Sequence, residues 1–211
     1  TLAALAGPWP LVIVPGDREA MPALHRAISA SGGKVIDGSA AVVTIGGLAL
    51  ATVGGAPAIE RLAAGAEGCT RDPADIDAIL GRLRAAATEP PVKRPARILI
   101  APSAPRGRGA SSDATADGIH VGDLDLAAEV AAYPVDLVIH PEVGPPPTAG
   151  HVALTTPPAG LALPAGSAAG TPRYDRDGQR RPPLAILVTL DGDQLRWQPV
   201  PAAGATLPPR P

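Results

Sequence analysis

Leu11-Val12-Ile13-Val14, a short run of aliphatic residues, stops at Pro15-Gly16 and hands over to a polar segment that begins at Asp17. A continuous apolar run bounded by turn residues predicts a strand buried on both faces, and a helix after it predicts an open α/β sheet. Such sheets carry their chemistry in the turn beyond the strand's C-terminal end. Asp17 and Arg18 occupy that turn and are the first candidates for a site.

The rest of the chain repeats the arrangement. Asp17 is placed to cap a helix with Pro22 in its first turn and Met21, Leu24 and Ile28 on one face, closed by Gly32-Gly33. His25 lies beside that stripe with no second ligand one turn away, which marks it as an ordinary flanking residue. Ala41–Ile45 and Leu48–Val53 read as a hairpin across Gly46-Gly47, whose spacing fits neither a dinucleotide fingerprint nor a P-loop. Gly65–Asp72 reads as a loop, Asp72-Pro73 opens a helix with the stripe Ile76, Ile79, Leu80 and Leu83, and Glu89–Pro95 is a connector. Arg97–Ala101 is the second buried strand, followed by the turn that holds Pro102, Arg106 and Arg108. Asp123 caps a further helix bearing Leu126, Val130 and Tyr133, and Val135–His140 is the third buried strand. His151–Thr155 reads as a strand, Thr156–Pro172 carries little local signal, and Leu184–Leu190 with Gln194–Val200 form a hairpin across Asp191-Gly192.

Composition removes several classes of function. A chain of 211 residues, 45% hydrophobic, suits one globular domain over 1–200, with a Pro-rich, disordered tail over 201–211. A net charge of −2 and 2% aromatic residues argue against nucleic acid as a partner. The apolar stretch Leu2–Val14 is broken by Gly7, Pro8 and Pro10, so no membrane-spanning segment is expected; Leu2 and Leu5 read as the last turns of a helix. The lone Cys69 excludes an intrachain disulfide and a cysteine-based zinc cluster, and it leaves the compartment open.

Set in order, the strand ends read VPGDRE (Val14–Glu19), APSAPRG (Ala101–Gly107), DGIHVGDL (Asp117–Leu124) and HPEVG (His140–Gly144). Together with the hairpin segment Lys34–Gly55 they resemble, over about Leu2 to Val200, the calcineurin-like metallophosphoesterase family. The resemblance implies a layered α/β fold with mixed β-sheets flanked by helices. Its N-terminal part, with the Asp-x-His and Gly-Asp motifs, would lie upstream of Thr1. It also implies two divalent metals such as Mn, Fe or Zn, bridged by an Asp and a hydroxide.

This sequence departs from that pattern at almost every ligand position. Asp17 stands for the family's Asn and could still bind a metal, but Arg18 stands for a neighbouring His, where its guanidinium would repel a dication. Pro102 stands where the second strand end should offer His, and Glu142 and Gly144 stand for the two His of the third, after His140-Pro141. The implied site is thus a vestigial cleft of Asp17, Arg18, Pro102, His140, Glu142 and Gly144, with no metal ligand set and no cofactor. Asp17 and Glu142 beside Arg18 suit an ion pair better than a metal pair, and Arg18 with Arg106 could hold a small anion. His120, with Asp117 and Asp123 nearby, is expected to order its loop.

Other chemistry finds less support. His140-Pro-Glu142 lacks the Pro-Cys-x-x-Cys partner of zinc deaminases, and Ser103, Ser111 and Ser112 lack a nucleophile elbow. Arg173, Arg176, Arg180 and Arg181 alternate with Asp175 and Asp177, the pattern of a solvated loop. The expectation is a catalytically inactive binding or structural module whose partner is a protein or a small anion. The alternative is an active metal-dependent phosphohydrolase that uses Asp17, Glu142 and ligands from upstream of Thr1.

Overall fold

The computed structural model of the protein describes residues 11–16, 20–45, 48–57, 69–86, 96–107, 113–114, 118–141, 149–155, 158, 160–165, 173–174, 180–181 and 184–201. It is a mixed α/β structure that divides into two compact units, Thr1–Ser103 and Ala104–Pro211.

In the first unit, β1 (Leu11–Ile13) runs parallel to β2 (Val35–Asp37), with α1 (Met21–Ser29) between them in sequence. The expected strand forms but is only half-buried; among the described residues it belongs to a two-stranded ribbon with a single neighbour. α1 also starts later than expected. Its N-cap is Ala20, which offers no side-chain acceptor, and Pro22 needs no amide partner that early in a helix. Gly32 and Gly33, at φ of +65° and +82°, turn the chain back toward β2.

β3 (Val42–Ile45) and β4 (Leu48–Thr52) are antiparallel with Ile45 opposite Leu48, as the two glycines between them require; Gly46 and Gly47 lie outside the described residues. β5 (Ala56–Pro57) pairs in parallel with β6 (Thr70–Arg71), so part of the segment expected as loop is strand. α2 (Pro73–Ala86) buries Ile76, Ile79, Leu80 and Leu83 and packs on β3 and β4. β7 (Ala96–Ile100) lies parallel to β4, and Ile98, Leu99, Ala49 and Ala51 are almost fully buried, as expected of a strand covered on both faces.

In the second unit, α3 (Leu124–Ala132) begins at Asp123, whose Oδ1 accepts the Leu126 amide at 3.0 Å, and buries Leu126 and Val130. Tyr133 is not on that buried face; it is the C-cap. β8 (Leu137–His140) is parallel to β10 (Leu161–Pro164), a strand that local sequence does not announce. β9 (Gly150–Ala153), β13 (Leu184–Asp191) and β14 (Gln194–Pro201) form an antiparallel sheet in the order β13-β14-β9, and β11 (Arg173–Tyr174) pairs with β12 (Arg180–Arg181). The β13–β14 turn is Gly192-Asp193, one residue later than expected. Gly192 takes φ +61° at the first central position, which a primed hairpin turn demands of glycine. The helix expected before Gly7 and the tail beyond Pro201 lie outside the described residues.

Candidate functional site

Among the described residues, the second unit holds the buried titratable groups Asp113, Asp123, Asp136 and His140. Its first loop folds back on itself. Arg106 donates its main-chain N–H to Asp123 O (3.0 Å), Asp123 N–H to Ala104 O (2.8 Å) and Val121 N–H to Asp113 O (2.9 Å). At the centre of this loop lies the fully buried carboxylate of Asp113. Its Oδ2 accepts the Gly107 amide at 3.0 Å, and its Oδ1 is 2.8 Å from Nδ1 of His120, a half-exposed imidazole. Burial by itself would push the Asp113 carboxyl up, but the Gly107 N–H and His120 outweigh it and hold the group below the usual carboxylate range. With Nδ1 donating to the carboxylate, the neutral form of His120 carries its lone pair on Nε2.

Loop ordering by His120 is therefore present, through a partner that local sequence missed. Asp123 instead caps α3, and Asp117 lies outside the described residues. The signal that could have found Asp113 is its position at the far end of a Gly-containing loop from His120, where an imidazole tied across the loop needs a buried acceptor.

His140 closes β8 and is 1% exposed. Its Nδ1 is 2.7 Å from Pro141 O, an atom that can only accept, so Nδ1 carries the proton and Nε2 the lone pair. That Nε2 is buried and, among the described residues, meets no hydrogen-bond partner. Burial drives the imidazole's pKa below its ordinary value, against the pull of the Pro141 carbonyl and the Asp113 charge.

Of the expected cleft, Asp17, Arg18, Glu142 and Gly144 lie outside the described residues. Pro102 follows β7 in the first unit, next to Ser103, whose Oγ accepts from Arg71 Nη2 at 2.7 Å. His140 belongs to the second unit, as does Arg106, which is exposed on a turn whose main chain is fixed on both sides. Gly122 lets that turn close: a Cβ there would lie 2.7 Å from Arg106 Cα.

The first unit holds a second carboxylate lock. Asp37 Oδ1 accepts the Ser39 amide at 2.9 Å and the Ser39 hydroxyl at 2.6 Å, and Oδ2 is 3.2 Å from His25 Nε2. Burial would raise the Asp37 carboxyl; the Ser39 donors and His25 lower it further than burial raises it. His25 thus partners a strand-end carboxylate, in keeping with its reading as an ordinary flanking residue. Among the described residues, no three His, Cys, Asp or Glu side chains converge as a metal ion would need, and no helix is long and apolar enough to cross a membrane. No protein-family model, curated protein or solved structure matches the chain.

Proposed function

We propose that the chain is a degenerate calcineurin-like phosphoesterase domain that binds a small anion without hydrolysing it, with Arg106 as the anion's anchor. The observation that carries this reading is the turn after β7. A metallophosphoesterase would need an imidazole ligand there, and the chain has Pro102, whose side chain offers no lone pair, followed by the clamped Arg106-Gly107 turn. The donor set at these strand ends does not suit a pair of divalent ions. A guanidinium held on a fixed turn suits a phosphate-like oxyanion, which it can meet with two parallel N–H donors. The hairpin β3–β4 and the parallel pairs β4–β7 and β8–β10 give the mixed α/β character with which this reading is compatible.

The test combines binding and turnover. Inorganic phosphate should raise the melting temperature of the full chain, by about 2.7 kcal/mol of stability at a hundred times its Kd, and Arg106→Ala should abolish the rise. An aryl phosphodiester in Mn²⁺ should not be hydrolysed. Stoichiometric bound metal, with turnover that Asp17→Ala removes, would establish the active hydrolase instead.

A further inference from the structure

The prolines of β14 reveal which way β13 points its main chain. Pro199 pairs with Ile186 and Pro201 with Leu184, and a proline has no N–H to give. Both are therefore non-hydrogen-bonded pairs, and in an antiparallel ladder the alternation fixes all the others. The β14–β9 side agrees: Leu195 and Trp197 pair with Val152 and Gly150, and Leu154 N–H continues the same phase to Asp193 O at 2.7 Å. Leu184, Ile186, Val188 and Leu190 thus turn both main-chain groups away from β14. Among the described residues nothing meets them.

This edge also lacks the usual protections. Over Leu184–Leu190 the sequence is LAILVTL, with no charge and no proline, and none of Ala185–Asp191 is buried. Leu187 is 46% exposed in the middle of the strand. Natural sheets blunt long apolar edges with lysines, prolines or bulges, because an open edge recruits another strand.

We propose that this edge is an interface, and that a second copy of this chain pairs with it, β13 against β13, antiparallel about a two-fold axis through Leu187. Only one register uses all four outward-facing residues. Leu184 pairs with Leu190 of the second copy and Ile186 with its Val188, giving about eight main-chain hydrogen bonds. Leu187 then faces its own twin in a non-hydrogen-bonded pair, where side chains approach most closely, and loses its exposure. Charge favours a copy of this chain over a foreign strand. Arg180 and Arg181 precede the strand, and Asp193 follows it together with Asp191, whose Oδ2 lies 3.1 Å from Arg196 Nε of its own copy, so antiparallel self-pairing sets the basic end of each copy beside Asp193 of the other. The inference goes beyond the anion-binding reading and does not rest on it.

The test is mass against concentration, by sedimentation velocity on the full chain from about 1 to about 300 µM. The expected result is a shift from 21.0 kDa to twice that mass. Leu187→Lys and Leu187→Glu, at an exposed side chain, should each stay monomeric, with the melting temperature of the unsubstituted chain at the dilute end of the series. Their equimolar mixture should recover the dimer, since the opposite charges meet only at that axis. In the unsubstituted chain, hydrogen exchange at Ile186 and Val188 should slow with concentration, while Ala185 and Thr189 stay protected throughout. A mass of 21.0 kDa at every concentration, a dimer that survives Leu187→Lys, no recovery in the mixture, open-ended growth past the dimer, or exchange that ignores concentration would each overturn the proposal.

Discussion

Trp197 lies against the main chain of Gly150, its cross-strand neighbour, so closely that a Cβ on residue 150 would sit 2.7 Å from the indole Cζ2 and 3.0 Å from Cε2. Gly150 opens β9, and its missing side chain is what lets the indole settle across the strand pair. Gly150→Ala should cost about 1–3 kcal/mol through overpacking, read as a lower urea midpoint and a changed tryptophan emission. Trp197→Leu in the same background should recover part of that loss.

Asp113 is the centre of the loop that carries Arg106. Asp113→Ala leaves the Gly107 amide and His120 without their shared acceptor and should destabilise the fold by about 1–3 kcal/mol. Since its folded pKa is depressed below 3.8, the carboxylate's contribution is fully present above that value and is lost as pH falls through the folded pKa. Denaturation curves of the two proteins should therefore converge toward acid. A double-mutant cycle with His120→Ala measures the coupling directly.

His140 acts in the same direction over a higher pH range. Its folded pKa lies below 6.5, so under that pH the unfolded chain takes up the proton first, and stability falls as pH drops from 6.5 toward the folded value. His140→Gln should flatten this limb of the stability profile, at some cost in packing. Urea midpoints at three pH values between neutral and mildly acid check it.

Asp123 satisfies the first turn of α3 with one carboxylate oxygen. Asp123→Ala should cost about 0.5–2 kcal/mol, and Asp123→Asn much less, because an amide oxygen can still accept from Leu126. Thermal melts of the two variants separate a capping role from a charge effect.

The parts of this fold that a reader of the sequence can foresee are those written in a local period. The apolar spacing of Ile76, Ile79, Leu80 and Leu83 matches the buried face of α2, and the β-rich runs on either side of Gly46-Gly47 match β3 and β4. Leu161–Pro164 was not foreseeable, because a short parallel strand is made by a neighbour more than twenty residues away, Leu137–His140, and not by its own pattern. Ala56–Pro57 and Thr70–Arg71 are likewise made by each other's pairing and not by their own pattern. In the candidate site, the sequence isolates Arg106, His120 and His140 but not Asp113, whose burial no local pattern marks.

The imino acids at 199 and 201 leave a mark on what lengths this arm of the molecule can tolerate. A single residue inserted between Trp197 and Pro199 would swing both ring nitrogens onto the face where the partner strand offers its carbonyls, and would at the same stroke reverse the side chains beyond the insertion. Two residues added together restore both. Variation in the length of this arm is therefore confined to even steps.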